Sequence, residues 1–406
     1  MSIDLEAIYR DLHANPELSF QEHRTSAIVA DQLRSFGYDV TTHVARTGVL
    51  GLLHNGDGPT VLLRADMDAL PVEEATGLPY ASTARGTDPE GNDVPVMHAC
   101  GHDVHVTCLL GAAERLAADR SSWAGTLAVV FQPAEEWGGG AEAMIADGLF
   151  ERMPRPDVVL GQHVAPFPAG FAGVHAGPFF AGADSLTVRI HGAGGHGSRP
   201  ETTVDPVYLA ASTTVRLQGI VAREVASTDA AVVTVGQLHA GTKHNIIPSE
   251  AMLGLSVRSF DEAVREKVLA SIERIVRAEA AASGAPRDPE IVFAERFPVT
   301  VNDPAATERT AGALRAVLGA ERVIDPGLVS ASEDVGVLAT SSEAPLCYWL
   351  LGGLDPALFG DAMRSGRMPE DVPSNHSPHF APVIEPTLSV GVTALVAAAR
   401  EWLAKG

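Results

Sequence analysis

Three short stretches of the chain carry side chains that bind divalent metal ions. They are HACGHD at residues 98–103, QPAEE at residues 132–136 and NHSPH at residues 375–379. Thiolate, imidazole and carboxylate groups are the ligands that zinc and related borderline-soft ions prefer. Each stretch alone is common, but together they predict a metal site with a further carboxylate beside it. That combination can hydrolyse an amide with a metal-bound water.

Cys100 and His102 are separated by one residue, a spacing that lets both side chains reach one ion from a loop. A free cysteine is usually a small buried hydrophobic residue, and the apolar surroundings of Cys108 and Cys347 fit that role. Cys100 instead lies among histidine and aspartate residues. We therefore predict that it is a ligand, and a thiolate that contacts two ions would suit a dinuclear site.

Glu135 and Glu136 follow an apolar stretch that predicts a strand. Two adjacent carboxylates cannot easily bind the same ion, but one can bind while the other accepts a proton from the metal-bound water. General-base catalysis of this kind contributes about 10²- to 10⁴-fold to a rate. The alternative is a charged pair that stabilises a helix N-terminus. The pair indicates a metal site only in combination with the other two stretches.

Other polar residues also stand where predicted strands end. Asp66 and Asp68 follow one apolar run, His163 ends another, and His376 lies between the last predicted strand and the last predicted helix. Ligands of open α/β sheets bind at the carboxyl ends of the strands. A lone histidine at such a place is more often a hydrogen-bonded polar group, so the prediction depends on several strand ends meeting.

The elements that must position these residues begin with a helix. Ile28 and Leu33 lie on one apolar face of a helical pattern, and Gly37 suits the position just after the helix. Ser19 and Glu22 have the spacing of a capping box at its start. Further along, short runs that are apolar on both faces alternate with helical patterns, which is typical of a covered and largely parallel sheet.

The pattern changes in the middle of the chain. Residues 186–190 and 253–257 alternate between apolar and polar types, which is typical of an antiparallel sheet with one solvated face. Two long helical patterns, at 205–225 and 261–282, accompany them. This part therefore predicts a smaller α+β domain.

A chain of 406 residues exceeds what one hydrophobic core usually serves. We predict an α/β fold in which residues 1–180 and 292–406 form a larger α/β catalytic domain with a mostly parallel central sheet. Residues 181–291 form the smaller inserted α+β domain, of ferredoxin-like type.

Composition excludes several classes of protein. The formal net charge of −22 leaves no basic patch for nucleic acid, and no run of about 18 apolar residues predicts a membrane span. The start of the chain lacks the basic and apolar regions of a signal peptide. Three cysteines do not form a disulfide framework, so we expect a cytoplasmic protein.

These motifs resemble those of the M20 metallopeptidase family. The likeness is to its amidohydrolase branch, which contains aminoacylases, hippurate hydrolases and plant auxin-conjugate hydrolases. It runs over nearly the whole chain and is carried by residues 13–18, 64–71, 97–103, 132–136, 194–198 and 375–377. The Cys-Gly-His-Asp sequence that begins at Cys100 is specific to this branch.

The resemblance implies two divalent metal ions per subunit, Zn²⁺ or Mn²⁺. The ligands that it implies are Cys100, His102, Glu136, His163 and His376. It implies that Cys100 bridges the two ions. It also implies that Glu135 is the general base and then the proton donor to the leaving amine.

The resemblance assigns further roles to the inserted domain, as a lid and as the interface of a homodimer. His196 resembles a histidine that reaches the partner subunit's active site and stabilises the oxyanion, although a glycine-rich turn with an exposed histidine would look the same. Asn245 and Arg258 match positions that contact substrate, and a guanidinium is well shaped to bind a carboxylate. Gly353 resembles part of a loop beside the substrate.

We therefore expect a dimeric, metal-dependent amidohydrolase that cleaves N-acyl amino acids, with no nucleic acid or membrane as partner. A di- or carboxypeptidase on the same scaffold is the alternative. A cysteine nucleophile, Cys100 with His102 or His98, would leave the two adjacent glutamates without a role, and a non-catalytic metal or metabolite binder is a third class. The acyl group, the amino acid side chain and the choice between Zn²⁺ and Mn²⁺ stay open.

Overall fold

The structure is a computed structural model that describes residues 3–360 and 372–404. Its α-helices are α1 (Leu5–Ala14), α2 (His23–Phe36), α3 (His102–Ala118), α4 (Gly140–Ala146), α5 (Pro206–Leu217), α6 (Gly219–Arg223), α7 (Glu262–Ala282), α8 (Pro304–Leu318), α9 (Val335–Ser342) and α10 (Ile384–Trp402). Within these described ranges, no helix combines the length and apolar composition needed to cross a bilayer.

The strands fall into one large sheet, one smaller sheet and three short pairs. They are β1 (Asp39–Val44), β2 (Gly48–Asn55), β3 (Thr60–Asp66), β4 (Arg85–Thr87), β5 (Asp93–Pro95), β6 (Gly125–Gln132), β7 (Val158–Pro168), β8 (Ala172–Gly173), β9 (Gly177–Phe180), β10 (Gly182–His191), β11 (Gly195–His196), β12 (Ala231–Ala240), β13 (Ile246–Ile247), β14 (Glu250–Ser259), β15 (Glu290–Phe297), β16 (Thr300–Asn302), β17 (Val323–Ile324) and β18 (Leu346–Leu354). The chain divides into two compact units. The first comprises Met1–Gly177, Val301–Gly327 and Asp334–Gly406, and the second comprises Pro178–Thr300 and Leu328–Glu333.

The first unit is built on an eight-stranded sheet in the order β1-β2-β6-β3-β7-β18-β8-β17. The centre of the sheet, from β6 to β18, is parallel, whereas β1 and β2 extend it in antiparallel fashion. Every residue of β3, β6 and β18 is buried. This burial explains why these strands are apolar on both faces, and it confirms the α/β class with a mostly parallel sheet.

The parallel register brings the strand ends together at one edge of this sheet. Asp66, the last residue of β3, lies opposite Gln132, the last residue of β6. In the neighbouring strand β7, Gly161 lies opposite Arg64, so His163 is at the level of Asp66. Residues that follow β3 and β6 therefore meet beside His163.

Helix α3 begins at His102, within the HACGHD stretch. Gly101, which precedes it, has a φ of 82°, a left-handed conformation that glycine adopts without steric cost. A Cβ at Gly101 would also lie 2.4 Å from a methyl carbon of Val164. The sharp entry places His102 in the first turn of the helix, with Cys100 just outside it.

The predicted capping box of α2 is wrong. Glu22 occupies the N-cap position but makes no side-chain capping bond, and Ser19 donates its hydroxyl to Asp68 instead. Both side chains form hydrogen bonds with buried groups far along the chain, Ser19 with Asp68 and Glu22 with the backbone of Ala134. These contacts take the place of the local cap. The end of the helix is as predicted, with Gly37 in the left-handed conformation at φ 88°.

In the second unit, β10, α5, β12, β14, α7 and β15 follow one another in the βαββαβ order of ferredoxin-like folds. The four strands are antiparallel in the order β12-β14-β10-β15. Strand β14 alternates between buried and partly exposed residues, as the sequence pattern predicted. Its apolar face forms a core with α5 and α7. The domain limits at residues 181 and 291 stay a prediction.

Candidate active site

All five predicted metal ligands come together in the first unit. Cys100, His102 and His163 form one group, and Cys100, Glu136 and His376 form another. Within each group the ligand atoms lie within 4.8 Å of one another. Cys100 belongs to both groups, which is the arrangement that a thiolate between two ions requires.

His163 lies inside β7, which continues to Pro168, and not at a strand end as predicted. Its Nδ1 lies 2.8 Å from the carbonyl oxygen of Val164. A carbonyl only accepts, so Nδ1 carries the proton and Nε2 keeps its lone pair, 3.5 Å from Cys100 Sγ. Burial, followed by the neighbouring His105, lowers the pKa of His163 well below its usual value. The ring is therefore neutral, as a metal ligand must be.

His102 lies in an environment that fits a divalent cation. Neither ring nitrogen has a hydrogen-bond partner among the described residues, and the same holds for Glu136 Oε1. The His102 ring is buried, with Nδ1 3.4 Å from Asp68 Oδ1 and Nε2 3.9 Å from Glu136 Oε1. Burial alone lowers the pKa of His102, but the charges of Asp66, Asp68 and Glu136 raise it to about 10. Unpartnered buried polar atoms cost free energy, and the surrounding carboxylates favour positive charge, so these residues fit a divalent ion.

Cys100 lies in an environment that opposes a bare thiolate. Burial and the charges of Glu136, Glu135 and Asp66 raise the pKa of its thiol well above the usual value. A reactive cysteine nucleophile needs the opposite, a lowered pKa. A metal ion would displace the proton on binding. This contrast argues against the cysteine-nucleophile alternative and favours a ligand.

Asp68 fixes the two adjacent glutamates through their backbone. Its Oδ1 accepts the N–H of Glu135 and its Oδ2 accepts the N–H of Glu136, both at 3.0 Å. Ser19 donates a further hydrogen bond to Oδ2 at 2.7 Å. With the backbone held in this way, Glu135 Oε2 lies 3.9 Å from His102 Nε2. Both carboxylates therefore stand beside the predicted ligand His102.

Asp66 and His105 support the site from behind the predicted ligands, and His105 stands within the histidine- and aspartate-rich sequence around Cys100. Asp66 Oδ1 lies 2.5 Å from His105 Nδ1, and His105 Nε2 accepts the N–H of Val164 at 2.8 Å. Nδ1 of His105 is therefore the donor to Asp66. Because the carbonyl of the same residue, Val164, accepts the proton of His163, this chain of hydrogen bonds helps to set the orientation of a predicted ligand.

Arg64 balances the charge of Asp66 from within a fully buried strand. Its guanidinium donates to Asp66, Gln132 and Asp334 at 2.6, 2.9 and 2.9 Å. Burial raises the pKa of Asp66, but His102, His105 and Arg64 together lower it well below the usual value. An arginine inside an apolar strand is rare unless it is paired. An arginine within an apolar run was therefore the sequence feature that could have indicated this hydrogen-bond network.

The second unit carries His196 and Asn245 on exposed backbone. Nδ1 of His196 accepts the N–H of Ser198 at 3.1 Å, so a neutral His196 ring carries its proton on Nε2. Strand β11, which contains His196, pairs with β13 directly after Asn245. A cavity of about 910 Å³ is lined by His196, His239 and Arg189 among other residues. His196 therefore presents a hydrogen-bond donor at an open surface.

Arg258 and Gly353 are more enclosed. Nη1 of Arg258 donates to the Ser330 carbonyl and to the Ser332 hydroxyl at 2.7 and 3.0 Å. Gly353 is buried in β18, where a Cβ would lie 2.5 Å from a methyl carbon of Val164. Packing alone thus accounts for this glycine. The substrate roles of both residues stay predictions.

Known proteins with similar sequence and structure support a hydrolytic site. Residues 62–401 match the model of peptidase family M20/M25/M40. The hippurate hydrolase of Campylobacter jejuni is 40% identical over 338 residues, which are 82% of this chain and 84% of that protein. Thermostable carboxypeptidase 2 of Saccharolobus solfataricus is 38% identical over 351 residues, which are 85% of this chain and 84% of that protein. The structure of Bacillus subtilis YxeP, a dinuclear metal binding peptidase from the M20 family, superposes with a TM-score of 0.77 at 29% identity and covers 98% of this chain and 97% of its own.

Proposed function

Because this chain belongs to peptidase family M20/M25/M40, we propose that it is a metal-dependent amidohydrolase that cleaves the amide bond of N-acyl amino acids. The observation that carries the proposal is geometric. Two groups of ligand atoms share Cys100, and the carboxylate of Glu135 lies beside them. The similarity to a hippurate hydrolase, whose name specifies an acylated amino acid, supports this substrate class.

The first ion would be held by Cys100, His102 and His163, and the second by Cys100, Glu136 and His376. When bound, such ions polarise the carbonyl of the substrate and lower the pKa of a coordinated water. The thiolate suits Zn²⁺, and the mixture of imidazole and carboxylate also suits Mn²⁺. The structural neighbour described as a dinuclear metal binding peptidase supports two ions per subunit.

Glu135 would carry the proton of the reaction. Its carboxylate would accept a proton from the attacking water and then deliver it to the nitrogen of the leaving amino acid. The side chain is almost completely buried, and Asp68 holds its backbone N–H. Burial and a fixed backbone limit the positions that the carboxylate can take, which is what proton transfer over a short distance requires.

Residues of the second unit would contact the substrate itself. Nε2–H of His196 would donate to the developing oxyanion in the active site of the partner subunit, and Asn245 would add an amide hydrogen bond to the substrate. Nη1 of Arg258 is occupied by serine oxygens, so its other N–H groups would bind the carboxylate of the amino acid. Gly353, which belongs to the first unit, would only leave room beside the substrate.

The second unit also supports a homodimer. Strand β12 lies at the edge of its sheet and exposes Val232 and Leu238, while α5 exposes Tyr208 and Val215, the latter by 75%. Edge strands pair readily with a second chain, and exposed apolar patches mark interfaces. We expect light scattering to give the mass of a dimer, and Tyr208→Glu combined with Val215→Glu to give a monomer. A wild-type protein that is monomeric at micromolar concentration would contradict this expectation.

The similarity to thermostable carboxypeptidase 2 favours a carboxypeptidase as the second candidate. The test is to remove metal with a chelator, restore Zn²⁺ or Mn²⁺, and assay N-benzoyl and N-acetyl amino acids beside unblocked dipeptides. The proposal predicts that chelation abolishes hydrolysis, that metal restores it, and that acylated substrates have the higher kcat/KM. Faster turnover of unblocked peptides would favour the carboxypeptidase. Full activity after complete metal removal would overturn both.

A further inference from the structure

Glu22 is a buried carboxylate for which the proposed reaction has no role. It is completely inaccessible to solvent, and it precedes the segment 62–401 that matches the family model. Its Oε1 accepts the N–H groups of Phe20 and Ala134, both at 2.9 Å, and its Oε2 accepts the hydroxyl of Thr47 at 2.5 Å. Burying a carboxylate is costly unless donors surround it. These three donors make Glu22 a link between the start of α2 and the loop that follows β6.

The residue that Glu22 holds directly precedes the proposed general base. Ala134 has a φ of 52°, a left-handed conformation that residues with a Cβ seldom adopt. The next two N–H groups, those of Glu135 and Glu136, are accepted by Asp68. Three successive N–H groups of this turn therefore point at two buried carboxylates. The conformation of the turn depends on both acceptors.

We propose that Glu22 is a positioning residue for the carboxylate of Glu135. By accepting the N–H of Ala134, it holds the left-handed turn that directs Glu135 towards His102. The inference rests on the proposed role of Glu135 as the general base. A misplacement of a reacting group by 1 Å can cost about 100-fold in rate, so a residue that acts only through the backbone can still govern turnover.

Two substitutions separate this role from simple stabilisation. Glu22→Gln keeps Oε1 as an acceptor for Ala134, whereas Glu22→Ala removes it. We expect Glu22→Ala to lower kcat by about 10- to 100-fold, with little change in KM and with the metal content of the wild type. We expect Glu22→Gln to restore most of kcat. If Glu22→Ala does not fold, Glu22→Met fills the same volume without an acceptor and is expected to behave in the same way.

Glu17→Ala is the matched control. The carboxylate of Glu17 accepts the N–H groups of Arg24 and Thr25 at the start of α2, at 2.9 and 2.8 Å. It thus belongs to the same segment and supports the same helix, but it has no hydrogen bond to the loop at 132–136. Its loss is expected to lower the melting temperature while kcat stays near that of the wild type. An equal loss of kcat in both alanine variants at equal melting temperature would overturn the positioning role.

A second readout does not depend on bound metal or on activity. Hydrogen exchange of the peptide 132–138 in metal-free protein is expected to accelerate in Glu22→Ala but not in Glu22→Gln or Glu17→Ala. Unchanged exchange in Glu22→Ala, or faster exchange with unchanged kcat, would overturn the inference. Failure of the proposed function has a different signature, because Glu135→Gln would then keep its activity whatever the exchange of this peptide shows.

Discussion

The predicted metal ligands of the first unit and the predicted substrate contacts of the second unit are built in opposite ways. His102 and His163 are enclosed, and the tautomer of His163 is fixed by the Val164 carbonyl. His196 and Asn245 are exposed, and among the described residues the His196 ring has hydrogen-bond partners only in nearby Ser198. The proposed metal site is thus a property of the fold, because buried elements position its side chains. The predicted substrate contacts are exposed groups that the fold does not enclose.

The largest expected effect comes from the enclosed region. Glu135→Gln keeps the size of the side chain but removes its ability to accept a proton. We expect kcat to fall by about 10²- to 10⁴-fold, while KM and the number of bound metal ions stay as in the wild type. Steady-state kinetics together with elemental analysis of the purified variant check this. A variant that turns over near the wild-type rate would remove Glu135 from the mechanism.

The next largest effect is expected in the exposed region, where kcat should fall but stability should not change. His196→Ala is expected to lower kcat by about 10²- to 10³-fold through loss of an oxyanion donor. The melting temperature should match that of the wild type, since the ring is exposed. Ser198→Ala is the matched control, because the Ser198 N–H still holds Nδ1 of His196. A lowered melting temperature with normal kcat would assign His196 a structural role instead.

Residues that help to orient the predicted ligands should affect the affinity for metal rather than the chemical step. His105→Ala removes the group that joins Asp66 to the backbone N–H of Val164, so the backbone that orients His163 loses one of its supports. We expect metal affinity to fall by about 10- to 100-fold, measured by competition with a chromophoric chelator. His175→Ala serves as the control, because His175 pairs with Asp325 and contributes to none of the ligand groups described in residues 3–360 and 372–404. Equal affinity in both variants would show that His163 needs no support.

The same contrast explains which parts of the site can be predicted from sequence. Metal ligands must be particular residue types, so the predicted ligands Cys100, His102 and Glu136 stand out against an apolar background. The alternating pattern of β14 likewise follows from one face being covered. These features are local consequences of chemistry or of burial, and a single stretch of sequence carries them.

Long-range hydrogen bonds could not be predicted in this way. Ser19 and Glu22 have the spacing of a capping box, but their partners Asp68 and Ala134 lie 49 and 112 residues away. A hydrogen-bond partner that is so far away in the sequence leaves no periodic pattern of residue types. The position of His163 inside β7 was missed for a related reason, because the polar side chain at the site looked like the end of an apolar run.

Replacing His13, a buried residue outside the set of predicted ligands, is expected to have the smallest effect on turnover. Its charge should instead affect the stability of the fold. Burial alone lowers the pKa of His13, but hydrogen bonds to Asp103 and Glu74, at 2.6 and 3.1 Å, raise it to about 10. The rings of Tyr9 and Tyr80 also face it. A pKa above the unfolded value of about 6.5 means that its contribution to stability is complete below pH 6.5 and is lost as the pH rises through about 10. Chemical denaturation at several pH values should therefore show the free energy of unfolding falling between pH 7 and 10 in the wild type but not in His13→Gln. Parallel curves for the two proteins would mean that His13 is neutral in the folded state, and that the enclosed region does not depend on its charge.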